Sequence, residues 1–243
     1  LGELHAALAS DPEDPDFAPE PFPPHHQRAL EQSARALLDE ALEALAGRRG
    51  ALDDDAERLA AAMTARRAAL EERCGLIRSA SMEGMRLRAH GDLGLDRIAH
   101  TGRDFVFADF EGAPDRPLSE RRIKRSPVRD VASLVQSIHL AAQVALASGA
   151  GARSADRAGL VPWAARWRGW AAALVVGAYL ARTDGAPFAC RTREAFRAFF
   201  DHFLFDRALR RLIRALEWRP DRAAGPLALL AELAGFGGEN RAP

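Results

Sequence analysis

Two stretches in the first third of the chain repeat apolar residues at helical spacing. Over residues 27–46 they recur every three or four positions, and over about residues 53–74 they recur at alternating steps of seven and four. Such spacings place apolar side chains on one face of a helix. Gly47 follows the first stretch as a candidate C-cap. The pattern predicts an antiparallel helical hairpin over residues 27–75.

The rest of the chain is also mostly helical by its pattern. Residues 1–9 form a short apolar helical end, and six prolines from Pro12 to Pro24 predict an irregular connector, docked through Phe17 and Phe22, because proline cannot donate a backbone hydrogen bond. Ser126-Pro127 has the form of an N-cap followed by proline at the first helical position. Later helices are expected over residues 126–148, from Pro162 onward, over 193–217 and over 226–233.

One short segment is typical of β structure. Phe105-Val106-Phe107-Ala108 is an apolar β-type run, and Thr101-Gly102-Arg103-Asp104 before it is a turn signal. Residues 97–100 and 105–109 are therefore expected to pair as a hairpin. The fold class expected from the pattern is mainly α (α+β), a helical body with one embedded β-hairpin.

The charge balance excludes several kinds of partner. The 243 residues contain 34 Lys+Arg and 34 Asp+Glu, so the formal net charge is zero. Such a chain has no global field that attracts nucleic acid or an anionic membrane. The N-terminus has no basic segment followed by an apolar one. We therefore expect a cytoplasmic protein with neither nucleic acid nor a membrane as a partner.

Two groups of residues have both a structural and a functional interpretation. Trp163, Trp167 and Trp170 share one helical face, where packing in the core is favoured over stacking on a sugar ring. The basic residues from Arg121 to Arg129 include Lys124, the one lysine of the chain, and the acidic residues Asp115, Glu120 and Asp130 lie close to them in the sequence. A structural loop held by ion pairs is therefore favoured there over nucleic-acid contact.

Acidic residues flank the predicted β-hairpin at both ends. Residues 90–97, which begin with His90-Gly91-Asp92, precede the first strand and are called the HGD loop here. Asp109-Phe110-Glu111-Gly112 follows the second strand and is called the DFEG turn. Because a hairpin holds its ends together, Asp92 and Asp109 are expected to lie close in space.

Two carboxylates held in this way have a chemical and a structural explanation. One can take a proton from a hydroxyl while the other holds a divalent cation on a phosphate, which is the division of labour in phosphoryl transfer. The structural alternative is a pair of aspartates at a turn and a strand end, satisfied by backbone amides.

These residues resemble a known family. The HGD loop and DFEG turn are similar to the H-G-D-x-H-x-x-N/Q catalytic loop and the D-F-x-G metal loop of the aminoglycoside-phosphotransferase branch of the kinase-like fold. A longer run resembles maltokinases, the ATP-dependent maltose 1-kinases often fused to trehalose synthase. It continues through Arg116-Pro117-Leu118-Ser119-Glu120-Arg121-Arg122 and Ser126-Pro127-Val128-Arg129-Asp130-Val131-Ala132. Glu3-Leu4-His5-Ala6-Ala7-Leu8-Ala9 and Arg219-Pro220 agree too, so the resemblance spans nearly the whole chain.

The resemblance implies a fold and a domain arrangement. It implies the helical C-lobe of the kinase-like fold without its β-rich N-lobe, since neither a Gly-rich loop nor a strand lysine precedes Asp92. The chain is then expected to be either a trimmed fragment or a naturally truncated relative. Residues 1–26 would begin the C-lobe and form the connector, 27–75 the helical hairpin, and 76–243 the catalytic-loop hairpin and helical body.

The resemblance also implies cofactors, partners and residue roles. ATP and Mg²⁺ would be the cofactors, maltose or a similar sugar the acceptor, and an N-lobe in cis and a trehalose-synthase-type enzyme the partners. Asp92 would be the base that activates the sugar hydroxyl, with His90 beside it, and Asp109 and Glu111 would hold magnesium. Asp130 would brace the HGD loop from the following helix. Arg129 would give structural support.

The HGD loop departs from the family pattern at three positions. Gly94 replaces a histidine, Asp96 replaces the usual glycine, and Arg97 replaces the metal-binding Asn or Gln. A guanidinium has donors and no acceptor, so Arg97 cannot ligate magnesium. It would instead pair with Asp109 and occupy the metal position, unless Asp96 supplies the missing oxygen.

Two functions follow from these departures. The chain is either part of a maltokinase-like enzyme or a catalytically degenerate kinase-like module. Such a module would bind sugar or a trehalose-synthase-type partner without transferring phosphate.

Overall fold

Helices make up most of the described chain, as the apolar periodicity predicts. The computed structural model describes residues 1–48, 50–113, 116–148 and 157–235. Its helices are α1 (Gly2–Leu8), α2 (His26–Ala46), α3 (Asp54–Ala65), α4 (Arg67–Gly75), α5 (Leu118–Arg121), α6 (Val128–Ser148), α7 (Arg157–Thr183), α8 (Arg193–Trp218) and α9 (Ala224–Ala234). Its strands are β1 (Ile98–His100) and β2 (Phe105–Phe107). The mainly α class with a short β-hairpin is confirmed.

The chain divides into two units, each made from segments that are distant in the sequence. The first unit contains Leu1–Pro24 and Ser81–Phe200, and the second contains His25–Ala80 and Asp201–Pro243. Helix α8 therefore begins in the first unit and ends in the second. The HGD loop, the β-hairpin and the DFEG turn all belong to the first unit.

The second unit is stabilised by the apolar helix faces that the spacing predicts. Helix α2 packs on α4, and α3 packs on α9. Its fully buried side chains include Leu38, Met63, Leu70, Leu212 and Leu230. The expected single helix over about residues 53–74 is wrong, because α3 and α4 are separate helices. The residue between them has φ −105° and ψ 23°, outside helical geometry, and neither glycine nor proline marks the break.

The first unit is arranged around α6. The N-terminal half of this helix is buried at every position from Val128 to Gln136. Such burial leaves no solvated face, so α6 is surrounded by other elements over this half. Helix α7 packs against α6, and α1 packs against α7.

The predicted β-hairpin is confirmed. Strands β1 and β2 are antiparallel, with Ile98 opposite Phe107. The amide of Ala108 also donates to the carbonyl of Arg97 at 3.0 Å, so the pairing continues one residue beyond the strands. The open end of the hairpin therefore brings the HGD loop beside the DFEG turn.

The expectation that the α7 tryptophans pack in the core is wrong. Trp163, Trp167 and Trp170 are 60%, 49% and 64% exposed. The helix packs through its opposite face, whose smaller side chains allow a close approach to α6. The half-buried members of that face are Ala164, Ala165, Ala171, Ala172, Val175 and Val176. Helix α7 also begins five residues before Pro162, which lies inside it.

Helix α6 is long and apolar enough to span a membrane by length and composition alone, with a mean hydropathy of 1.4. The uncharged stretch between Asp130 and Arg153 exceeds the ~20 residues that a span requires. The expectation of no membrane partner did not take this stretch into account. Within the protein 44% of the apolar window is buried. Core helices meet the same criteria, so the length of α6 is weak support for a span.

The proline-rich connector docks in the first unit through both phenylalanines, as expected. Phe22 stacks on Phe199 with ring centroids 5.2 Å apart. The guanidinium of Arg88 lies over the ring of Phe17, 5.9 Å from its centroid. The connector is therefore fixed although it lacks regular hydrogen-bonded structure.

Lys124 fixes the same connector through charge. Its buried ammonium donates to the carbonyls of Pro15 and Ala18 and to the carboxylate of Glu20. These three acceptors match the three protons of an ammonium group. The structural interpretation of the basic cluster is confirmed at Lys124.

We expect Lys124→Met to destabilise the chain by about 2–3 kcal/mol, because it leaves two carbonyls and a carboxylate without their donor. The measurement is urea unfolding followed by circular dichroism. Arg122→Met is the matched control, since Arg122 is exposed and its loss should change the stability by less than about 0.5 kcal/mol. Equal effects of the two substitutions would contradict the role given to Lys124.

Candidate active site

The HGD loop is held by one buried carboxylate. Asp130, in the first turn of α6, has no exposed surface. Its Oδ2 accepts the amide proton of His90 at 2.7 Å, and its Oδ1 accepts that of Gly91 at 3.0 Å. Gly91 has φ +84°, a conformation that suits glycine. These bonds fix the backbone immediately before Asp92.

The HGD loop is anchored to α6 at a second point. The amide of Leu95 donates to the hydroxyl of Ser137 at 3.1 Å, and that hydroxyl donates to the carbonyl of Leu134 at 2.7 Å. Arg129, beside Asp130, is buried in the first turn of the same helix. The loop thus follows the surface of α6 on both sides of the half-buried Asp92.

His90 connects the HGD loop to the end of the β-hairpin. Its ring is buried, its Nδ1 accepts the amide proton of Asp92 at 3.4 Å, and its Nε2 donates to the carbonyl of Ala108 at 2.8 Å. The ring also contacts that of Phe110 at a centroid distance of 4.9 Å. A single side chain therefore positions Asp92 relative to the residue before Asp109.

The DFEG turn exposes its two acidic residues. Asp109 has φ +62°, in the left-handed region that aspartate tolerates better than most residues. Its side chain is 46% exposed, and Glu111 is also exposed. Gly112 closes the turn at φ +76°. The structure therefore places Asp109 beside the HGD loop and leaves Glu111 on the solvent side.

Arg97 makes an ion pair with Asp109, as the sequence predicts. Its Nη1 donates to Oδ2 of Asp109, and its Nε lies 3.5 Å from the carboxylate of Asp96. The hydrogen bond to Asp109 raises the pKa of Arg97, and the charges of Asp109, Asp96 and Asp92 add to the effect. The guanidinium thus contacts one carboxylate from the turn and one from the loop.

The other two departures in the HGD loop are coupled to each other. A Cβ at Gly94 would lie 2.4 Å from Oδ1 of Asp96, which is closer than nonbonded atoms approach. The carboxylate of Asp96 therefore occupies the space where a larger side chain at position 94 would begin. A histidine at 94 requires Asp96 to move.

The arrangement of these residues does not fit a magnesium ion. Asp109 is engaged by a cationic side chain that cannot ligate a metal. Within the described residues, no three His, Cys, Asp or Glu side chains form a group that could hold a metal ion. Lys124 cannot contact ATP phosphates either, because its ammonium is buried among three other acceptors.

Solved structures of kinases share the fold of this chain. Its helical body and short hairpin match about half of the length of these kinases. No protein-family model matches the sequence. The comparison with solved structures therefore establishes the fold.

Three of the similar solved structures are glucosamine kinases. One, in complex with glucosamine, ADP and inorganic phosphate, matches with a TM-score of 0.69 and 20% identity over 96% of this chain. Two other crystal forms match with TM-scores of 0.66 and 0.67 at the same identity. The match covers 52%, 50% and 51% of those proteins. The chain therefore spans about half the length of these kinases.

Sequence reasoning missed two residues of the site. Nε2 of His5 in α1 lies 3.3 Å from Oδ2 of Asp130, and the hydroxyl of Tyr179 in α7 lies 3.1 Å from Nδ1 of His5. His5 stands in the Glu3 to Ala9 stretch that carries part of the family resemblance, which is the only signal that could have found it. Nothing in the local pattern distinguishes Tyr179.

We expect Asp130→Asn to destabilise the chain by about 2 kcal/mol at pH 7, and this difference to shrink below about pH 4. Burial alone would raise the pKa of Asp130, but the hydrogen bonds from His5 and from the Gly91 amide hold the pKa below its ordinary value. Stabilisation by such a group is complete above its unfolded-state pKa and is lost as the pH falls through the folded-state pKa.

The measurement is urea unfolding at pH 7 and at lower pH. Asp55→Asn is the control, because Asp55 is exposed and pairs with Arg58 on the helix surface. A destabilisation by Asp130→Asn that stays constant or grows as the pH falls would contradict the assignment.

Proposed function

We propose that this chain is the helical half of a maltokinase-like sugar phosphotransferase, with maltose or a similar sugar as the acceptor. The observation that carries the proposal is the position of Asp92, which the buried Asp130 and His90 fix from two sides. A base must be held in place to orient the hydroxyl that attacks the phosphate. The longer run of residues that resembles maltokinases supports maltose or a related sugar as the acceptor.

In this proposal, the chain supplies the acceptor side of the reaction. Asp92 accepts the proton of the sugar hydroxyl and aims its oxygen at the phosphate. His90 keeps Asp92 and the DFEG turn at a fixed separation, because its ring bonds to both sides. ATP is the phosphate donor, and an N-lobe in cis supplies the phosphate-binding groups that these residues do not provide.

The Arg97–Asp109 pair does not by itself exclude this function. The side chains are 29% and 46% exposed, and ion pairs at such positions contribute about 0–1 kcal/mol. Separating the two side chains therefore costs about 1 kcal/mol or less, and the binding free energy of a nucleotide can offset that cost. The acceptor side, by contrast, is built from buried groups that cannot rearrange at a similar cost.

A second function is favoured by the same ion pair. A kinase-like module in which Arg97 holds Asp109 would bind sugar, or a trehalose-synthase-type partner, without transferring phosphate. In this case Asp92 would accept a hydrogen bond from the sugar and would not act as a base. The two functions differ in whether the full-length protein turns over ATP.

We expect Asp92→Asn to lower kcat for maltose-dependent ADP release by roughly 10²–10⁴-fold, because it removes the proton acceptor. The full-length protein is assayed with Mg-ATP, and the KM for maltose should change little. Asp104→Asn is the matched control, since Asp104 is an exposed aspartate at the far end of the same hairpin. If the unmodified full-length protein turned over neither maltose nor glucosamine, the proposed enzymatic function would be ruled out.

Cation binding by the unmodified chain and by Arg97→Gln distinguishes the two proposed functions. If the guanidinium blocks the site, the unmodified chain should not retain Mn²⁺, and Arg97→Gln should bind it because a carboxamide oxygen can ligate a cation. Electron paramagnetic resonance of free Mn²⁺ measures the binding of this cation by each of the two proteins. Arg103→Gln, an exposed arginine in the hairpin turn, is the control. Turnover by the unmodified full-length protein would overturn the non-catalytic function.

A further inference from the structure

A chain of buried hydrogen bonds extends from the HGD loop to the helices behind it. Asp130 contacts the loop amides on one side and Nε2 of His5 on the other. Nδ1 of His5 lies 3.1 Å from the hydroxyl of Tyr179. His5 and Asp130 have no exposed surface, and Tyr179 is 6% exposed. Helices α1, α6 and α7 and the HGD loop therefore meet at one carboxylate.

One arrangement of protons gives each of these buried groups a matching donor or acceptor. Burial raises the pKa of Tyr179, and the charge of Asp130 raises it further, so the hydroxyl keeps its proton and can donate to Nδ1 of His5. The imidazole proton on Nε2 then donates to Asp130. Because a carboxylate offers about four lone-pair positions in one plane, the bond from His5 orients the oxygens that accept the loop amides.

Helix α1 is fitted to hold His5 in this position. A Cβ at Gly2 would lie 2.9 Å from Cγ of Arg182, so glycine allows α1 to approach α7 closely. The carboxylate of Glu3 accepts a hydrogen bond from Nε of Arg182 at 3.1 Å. A helix of seven residues is not stable by itself in water. Its position therefore depends on its packing against α7 and on His5, because an ion pair as exposed as Glu3–Arg182 contributes little.

We propose that His5 is a positioning residue for the HGD loop, and that it acts through Asp130 to hold Asp92 in place. Its ring is separated from Asp92 by the carboxylate and the loop backbone. It therefore orients the base without contacting the sugar. The consequence for catalysis rests on the proposed function, whereas the effect on the loop does not.

Amide hydrogen exchange of the HGD loop in the full chain tests this proposal without requiring activity. His5→Leu removes both hydrogen bonds of the ring, and we expect the His90 and Gly91 amides to exchange about tenfold or more faster. His5→Gln keeps a donor near the position of Nε2, so it should restore most of the protection. Glu3→Gln is the control, because it removes the exposed ion pair to Arg182 and should change the exchange by less than about twofold.

Unchanged loop protection in His5→Leu would overturn the proposal, whether or not the protein is active. If His5→Leu does not fold, Tyr179→Phe removes one hydroxyl and should still speed exchange of the loop amides, and no change would overturn the proposal.

Steady-state kinetics of the full-length protein give the second readout. We expect His5→Leu to lower kcat about tenfold while the KM for sugar stays within about twofold, and His5→Gln to recover most of kcat. An equal loss of kcat in His5→Leu and His5→Gln would contradict the proposal that His5 acts through its Nε2 donor. Faster loop exchange in His5→Leu together with no turnover in the unmodified protein would support the role of His5 and overturn the proposed function.

Discussion

A buried carboxylate is the constraint on which the first unit depends. Asp130 has no exposed surface, and a charge left unpaired in such a place costs on the order of several kcal/mol. Its donors come from the HGD loop and from α1, 40 and 125 positions away in the sequence. Folding must bring these segments together to satisfy the charge. The same requirement fixes the backbone that carries Asp92.

The two sides of the candidate site differ in how strongly the fold holds them. Asp92 is positioned by groups that are buried and hydrogen-bonded, so a change among them disturbs the packing around α6. Asp109 and Arg97 meet at the surface, where an ion pair contributes about 1 kcal/mol or less. Substitutions at the exposed side are tolerated by the fold. This difference explains how Asp96 and Arg97 can depart from the pattern of the kinases that the loop resembles while the loop keeps its anchors.

The elements predicted correctly from the sequence are those specified by local patterns. The β-hairpin has its own turn and apolar run, and the acidic residues adjoin it, so their proximity follows from a few neighbouring positions. The role of His5 could not be predicted in this way, because its partner is 125 positions away. The prediction that the α7 tryptophans pack in the core was wrong for another reason. Periodicity places residues on one side of α7, but this helix has a second apolar side made of small residues, and packing selected that one.

The exposed tryptophans determine which spectroscopic probe can follow the folding of this chain. Trp163, Trp167, Trp170 and Trp218 are the four tryptophans of the sequence, and each is about half exposed or more. Their indole rings already contact water in the native state. Emission from the folded chain should therefore lie near the wavelength of the unfolded chain, and intrinsic fluorescence would report little of the unfolding transition. The same exposure makes quenching of tryptophan fluorescence sensitive to any partner that covers these rings, three of which lie on α7.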